Sequence, residues 1–144
     1  MQISSKGIDL IKSFEGYFAM PYLCPAGYPT VGYGHLIMDG EDFSKGLSQL
    51  EAEQLLAFDL KSDEATVLRL IEVPLTQGQF DALVSFTYNL GGGALQRSTL
   101  RRKINRGEHG DVPEELMRWV WAGGRQLKGL IRRRQAEGVM YQGG

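Results

Sequence analysis

The chain has 144 residues, 42% of them hydrophobic and 23% charged, with a net charge of −1. That length suits one domain with a core that needs no covalent staples. The single cysteine, Cys24, excludes an internal disulfide and a multi-cysteine zinc site. No apolar run approaches the roughly 18 residues that suggest a membrane span, so stable membrane insertion is not expected. Lys6, Asp9 and Lys12 interrupt the N-terminal apolar pattern, which therefore does not read as a signal peptide.

Ser4 and Ser5 precede the periodic residues Ile8, Leu10, Ile11 and Phe14, which predicts a first helix capped by Ser4 and ending near Gly16. Residues 16–40 then interleave Gly16, Pro21, Pro25, Gly27, Pro29, Gly32 and Gly34 with Tyr17, Tyr22, Tyr28, Val31 and Tyr33. Helix breakers mixed with aromatic and β-branched residues predict short strands and tight turns, and this is the only β-like region expected. Ser48 and Glu51 form a capping box that opens a long amphipathic helix over 48–72, with a break near Ser62 left open. Pro74 ends it. Thr76 and Gln79 form a second box ahead of Phe80, Leu83, Val84 and Tyr88. Gly91-Gly92-Gly93 reads as a hinge or turn, Ser98 as the cap of a basic helix over 99–106, and Asp111-Val112-Pro113-Glu114 as a helix start running on towards Trp119 and Trp121. Gly123-Gly124 interrupts, and Gly129 precedes a last helix carrying Ile131, Ala136, Val139 and Met140. The expected fold class is α+β, with a small β-hairpin lobe (16–40), a connecting helix (48–72) and a larger helical lobe (74–144). A cleft between the lobes is the natural place for a ligand.

Charge is unevenly spread. Residues 1–90 hold 5 Lys/Arg against 12 Asp/Glu, whereas residues 91–144 hold 11 against 5. The basic half has two readings: neutralisation of the acidic half, or attraction of an anionic polymer. The run Arg132-Arg133-Arg134 likewise reads as a solvated helix face or as a source of one arginine for a binding site. Nucleic acid is not the expected partner, because the chain is net acidic and carries no nucleic-acid motif. Nothing clusters as metal ligands, and no cofactor is called for.

Few polar groups could carry chemistry in the β-rich stretch: Glu15, Cys24, Thr30 and His35. A carboxyl where a helix meets an aromatic turn can be desolvated, which raises its pKa towards that of a general acid. Judged on composition alone, an ordinary surface glutamate is the favoured reading of Glu15. A Cys24 nucleophile with His35 or His109 as base is disfavoured, since His35 sits in a Gly-rich turn that suits a structural role and no third group is evident.

The segment Phe14-Glu15-Gly16, eight residues to Cys24, and five more to Thr30-Val31-Gly32-Tyr33-Gly34-His35 resembles the active-site segment of the phage lysozymes, family twenty-four of the glycoside hydrolases. The resemblance continues through Pro74–Leu83, Phe86–Gly91, Ser98-Thr99-Leu100, Arg118-Trp119, Ala122–Arg125 and Gly129–Arg134 to Glu137, in order over nearly the whole chain. It implies a lysozyme-like fold and an inverting endolysin acting on the sugar backbone of bacterial peptidoglycan. Glu15 would be the acid that protonates the glycosidic oxygen, and Thr30 would hold the attacking water. Such an arrangement leaves roughly 6.5–9.5 Å between acid and opposing group. His35, Asn89, Gly91 and Arg133 are expected on the substrate side, with an arginine of the 132–134 run pairing with Glu15. The chain departs from the commoner pattern at Cys24, where the family usually has Asp. Three readings follow: a thiolate in the carboxylate's place, an inert thiol, or altered chemistry such as lytic transglycosylation. A catalytically inactive peptidoglycan-binding remnant is the rival outside enzymology. The resemblance further implies a monomer that waits in the host cytoplasm, reaches the cell wall through a holin, and ends a phage or prophage cycle by lysis.

Overall fold

A computed structural model describes residues 1–143 of the chain. It divides into two compact units, one formed by residues 11–61 and the other by residues 1–10 together with the chain from Ser62 onward. The boundaries fall inside helix α1 (Ser5–Glu15) and helix α2 (Gln49–Leu70).

In the first unit, α1 is followed by strands β1 (Phe18–Leu23), β2 (Pro29–Gly32) and β3 (His35–Leu36), which pair antiparallel in that order. Tyr22 lies opposite Thr30 and Phe18 opposite Gly32, with a bulge between. Pro21 falls within that irregular stretch, which suits a residue with no N–H to give to a ladder. Ile11, Val31, Tyr33, Ala52, Leu56 and Leu60 form its buried apolar core. The Ser48–Glu51 capping box is present in both directions, at 3.1 and 2.9 Å, and α2 runs for 22 residues without a break at Ser62.

The second unit is built on α3 (Gln77–Leu90) and α7 (Lys128–Gly143), which pack along each other. Around them lie α4 (Gly92–Arg97), α5 (Thr99–Asn105) and α6 (Val112–Leu116). The Thr76–Gln79 box opens α3 as expected, and Ser98 caps α5 by accepting the Arg101 N–H at 3.0 Å. Phe80, Leu83, Phe86, Leu95, Leu100 and Ile104 are fully buried. The N-terminus of α1 is fastened here by Asp81, a buried carboxylate of α3. It accepts the Ser4 N–H at 3.0 Å, the Ser4 hydroxyl, and the Gln77 amide at 2.8 Å.

Several sequence expectations are corrected. A second hairpin exists, β4 (Trp121–Ala122) with β5 (Arg125–Gln126), so 16–40 is not the only β region. Its turn is Gly123-Gly124, both at positive φ, where two glycines permit what other residues resist. The helix begun at Pro113 stops at Leu116 rather than reaching the tryptophans. Only Gly91 of the glycine triplet acts as a break; α4 starts at the next residue. The last helix begins at Lys128 and contains Gly129 rather than following it.

Candidate active site

Glu15 is the last residue of α1, half-buried, and the chain turns immediately after it at Gly16. Cys24 follows β1 and opens the five-residue turn that leads into β2 at Pro29. Two hydrogen bonds close this turn: Cys24 N–H to the Tyr28 carbonyl at 2.9 Å, and Gly27 N–H to the Cys24 carbonyl at 2.7 Å. Gly27 sits at φ +88, a conformation costly for any residue with a Cβ.

The turn also defines the state of the sulfur. The N–H of Tyr28 acts most strongly to lower the Cys24 thiol pKa from its ordinary value. Partial burial opposes it, while the Ala26 N–H, the Thr30 hydroxyl and the Gly27 N–H add to the lowering. Donors converging on one atom favour its anion. Thr30 is 2% exposed, and its hydroxyl donates to the Tyr28 carbonyl at 2.9 Å. That single proton has two acceptors within reach, the carbonyl and the sulfur.

Tyr22 joins Glu15 and Cys24. Burial raises its phenol pKa, and the negative charges of Glu15 and Cys24 raise it further. The phenol thus stands within the field of both candidate catalytic groups and stays protonated as a hydrogen-bond donor. Tyr22 faces Thr30 across the β1–β2 ladder and stacks on Phe18 with ring centroids 4.2 Å apart. Sequence reasoning treats Tyr22 only as a strand former; its place two residues before Cys24, in the strand that leads to it, is the available signal.

His35 is committed within its unit. Nδ1 lies 2.7 Å from Asp59 of α2 and Nε2 lies 2.9 Å from Glu41, whose carboxylate also accepts the Met38 N–H at 2.7 Å. Burial alone would lower the imidazolium pKa, but the hydrogen bonds and charges of Glu41 and Asp59 outweigh it and raise the value. His35 is therefore a clip between the β-sheet, the following loop and α2, and its two carboxylate partners favour the charged ring. Nothing in the sequence singles out Glu41; its contacts with His35 and the Met38 N–H do.

The other expected residues belong to the second unit. Asn89, towards the end of α3, accepts a hydrogen bond from Arg134 Nη2 at its side-chain oxygen, at 2.7 Å. Gly91 closes α3 at φ +92, its N–H bonded to the Thr87 carbonyl at 2.7 Å. Arg133 is only 4% exposed and donates to the Ser85 carbonyl at 3.2 Å, and Arg134 is fully buried. The solvated-face reading of the arginine run is therefore wrong for these two and holds only for Arg132. Trp119 is half-buried, edge-on to Phe86 and beneath the Arg97 guanidinium; Trp121 is 58% exposed. Among the described residues no group of His, Cys, Asp and Glu could hold a metal ion.

A carboxyl at the end of a helix, followed by a small antiparallel sheet with a thiol at its turn, together with a separate helical unit, are the elements of a lysozyme-type glycoside hydrolase. Comparison with known proteins agrees. The phage lysozyme profile matches residues 12–137, and the chain belongs to that family. It is 40% identical to the endolysin of Acyrthosiphon pisum secondary endosymbiont phage 1, covering 99% of both chains. It is 42% identical to the endolysin of Bacillus phage B103 over 98% of its own length but spans about half, 54%, of that relative. The muramidase domain of SpmX from Asticaccaulis excentricus superposes with a TM-score of 0.88 at 36% identity, covering 97% of each chain.

Proposed function

We propose that this chain is an endolysin that hydrolyses the β-1,4 bonds between N-acetylmuramic acid and N-acetylglucosamine in bacterial peptidoglycan. The observation that carries the reading is the grouping of Glu15, Tyr22, Cys24 and Thr30 on α1 and the β1–β2 hairpin, with the thiol disposed towards its anion. Glu15 protonates the glycosidic oxygen as the bond to the leaving sugar breaks. The Cys24 thiolate takes the proton of the attacking water and offsets positive charge on the sugar. Thr30, with its own proton on the Tyr28 carbonyl, presents oxygen lone pairs that align that water. Attack from the face opposite the leaving group inverts the anomeric carbon.

Asn89, Gly91 and Arg133 are the proposed substrate-binding residues of the second unit. His35 serves the substrate through the segment it fixes. The chain is proposed to act as one lysozyme domain over 1–144 and as a monomer, reaching the wall after a holin opens the membrane. Among the described residues no helix is long and apolar enough to cross a membrane.

The test is digestion of purified peptidoglycan with mass spectrometry of the sugar ends. Reducing ends from the parent and none from Glu15→Gln support hydrolysis through this acid. Loss of activity in Cys24→Ser with recovery in Cys24→Asp assigns the base. Anhydro ends make the protein a transglycosylase, and absence of cleavage by the parent at every pH leaves a binding module.

A further inference from the structure

In the basic half of the chain, two exposed arginines from separate segments converge on one recess. Arg97, the last residue of α4, lines an open hollow of about 340 Å³ with Ser98, Thr99, Glu115, Arg118 and Trp119. The Trp119 indole is fixed edge-on against Phe86, ring centroids 5.6 Å apart. The Arg97 guanidinium lies over that indole, its carbon 5.6 Å from the ring centroid, and it forms no ion pair among the described residues. Arg118 comes from the segment after α6; its side chain is 66% exposed, and Nη1 donates to Glu115 Oε1 at 3.4 Å. Arg102 of α5 donates to the Thr99 hydroxyl oxygen at 3.0 Å, which leaves the hydroxyl proton for another acceptor. The Ser98 hydroxyl is already committed, accepting the Arg101 N–H and donating to the Leu95 carbonyl.

Glu115 is the one carboxylate that lines the recess. It is shared between Arg118 and Lys103, the latter 3.6 Å from Oε2, so its charge is divided between two cations and none is left for Arg97. A ring engages a guanidinium without using its N–H donors, so the contact with Trp119 holds Arg97 in place and leaves its fork open. Two guanidinium forks, a free hydroxyl proton and an indole surface around one hollow form the donor set for a carboxylate on an aliphatic chain. The forks match its two oxygens, and the indole covers the neighbouring methylenes. Peptidoglycan carries such a group, because the peptides on its N-acetylmuramic acid residues end and branch in carboxylates.

We propose that this recess binds a free carboxylate of the peptide borne by the peptidoglycan strand, with Arg97 and Arg118 as its guanidinium partners and Trp119 as its apolar wall. The inference rests on the reading of the chain as a peptidoglycan hydrolase. It makes the chain sensitive to the chemical form of the wall. Amidation of the carboxylate removes the anion and sets new N–H donors against the N–H groups of both arginines, so the amidated peptide is disfavoured.

The experiment measures binding by calorimetry in the Glu15→Gln protein, so that the ligand is not consumed. The ligands are soluble glycan fragments whose peptide carboxylates are either free or amidated. Arg97→Gln and Arg118→Gln are each added to that protein, with Arg125→Gln, an exposed arginine of the β4–β5 hairpin outside the recess, as the control. Melting is followed in parallel. The free form is expected to bind about fivefold or more tighter than the amidated form. Arg97→Gln and Arg118→Gln are each expected to remove most of that preference while affinity for the amidated form stays within about twofold, and Arg125→Gln is expected to keep it. If Arg118→Gln does not fold, Arg97→Gln alone decides. Equal affinity for the two forms overturns the proposal. So does a preference that survives Arg97→Gln, or one that Arg125→Gln removes as fully, which would make it a general attraction of charge. Cleavage by the parent is read separately. If neither form is cleaved, the hydrolase reading fails, whereas a binding preference that Arg97→Gln abolishes still upholds the recess.

Discussion

Replacing His35 by Gln tests the charged clip in the β-bearing unit. The imidazolium joins Asp59, whose side chain is 19% exposed, and Glu41, 34% exposed. A hydrogen bond to an ionised group contributes about 1.5–3 kcal/mol net when protected, and an exposed ion pair about 0–1. The Asp59 bond belongs to the first class and the Glu41 bond nearer the second, so His35→Gln should cost about 2–3 kcal/mol at pH 6. In a domain of this size that is roughly 5–10 °C of melting temperature. The raised imidazole pKa fixes the pH dependence. A group whose folded pKa exceeds its unfolded one gives its full stabilisation below the unfolded value, about 6.5 for histidine, and loses it as pH rises through the folded value. A neutral ring keeps one N–H, so one of the two carboxylates then faces a lone pair. The assay is urea unfolding of parent and variant from about pH 6 to about pH 9, a window above the carboxylates. Below it Glu41, lowered chiefly by the Met38 N–H, and Asp59, raised by burial, pull in opposite directions. The gap between parent and variant should shrink by half or more across the window. A gap that stays flat or widens would refute the clip.

Other substitutions probe separate joints. Asp81→Ala removes the acceptor of three hydrogen bonds and strands the Ser4 N–H; a loss of about 2–4 kcal/mol is expected in chemical denaturation, and a loss below about 1 would mean water replaces the cap. Gly7→Ala should destabilise although alanine favours helices. The added Cβ would sit 2.6 Å from Ile3 Cγ1 and 2.8 Å from Asp81 Cγ, and overpacking costs about 1–3 kcal/mol against a helix gain of about 1, so a higher melting temperature would contradict the packing. Cys24→Asp should carry activity to more acid pH. A carboxyl ionises near 3.9, whereas even a lowered thiol ionises later, so the acid limb of a pH–rate profile would move left; an unmoved limb would make the thiol a bystander.

The elements with local signals were legible from sequence. Both capping boxes close as their four-residue patterns require, and the Gly- and Pro-rich stretch between 16 and 40 folds into turns and strands. What escaped depends on tertiary partners. The hairpin at 121–126 has strands of two residues, too short for an alternation pattern to register. Three consecutive arginines look like a solvated face because charge normally stays in water. Arg133 and Arg134 are buried where Glu137, Ser85 and Asn89 meet them, the last two from a helix some 45 residues away in sequence. His35 was read as structural from its Gly-rich turn, but its two carboxylate partners come from separate segments and no spacing announces them.

The same distinction explains why Cys24 is the hardest residue to read in the chain and why its departure from aspartate need not end catalysis. A side-chain comparison contrasts a strong acid with a weak one. The backbone supplies the missing part: the turn 24–28, closed by its own hydrogen bonds and permitted by Gly27, aims N–H groups at whatever anion occupies the position. Those donors belong to the fold rather than to the residue. A carboxylate there would accept them as readily as a thiolate, with less need of them. The turn can therefore stabilise either anion at position 24, a thiolate or a carboxylate. The thiolate depends on the turn more strongly. Disturbing Gly27 should therefore impair the cysteine enzyme more than its Cys24→Asp variant, because only the thiol needs those donors to ionise near neutral pH.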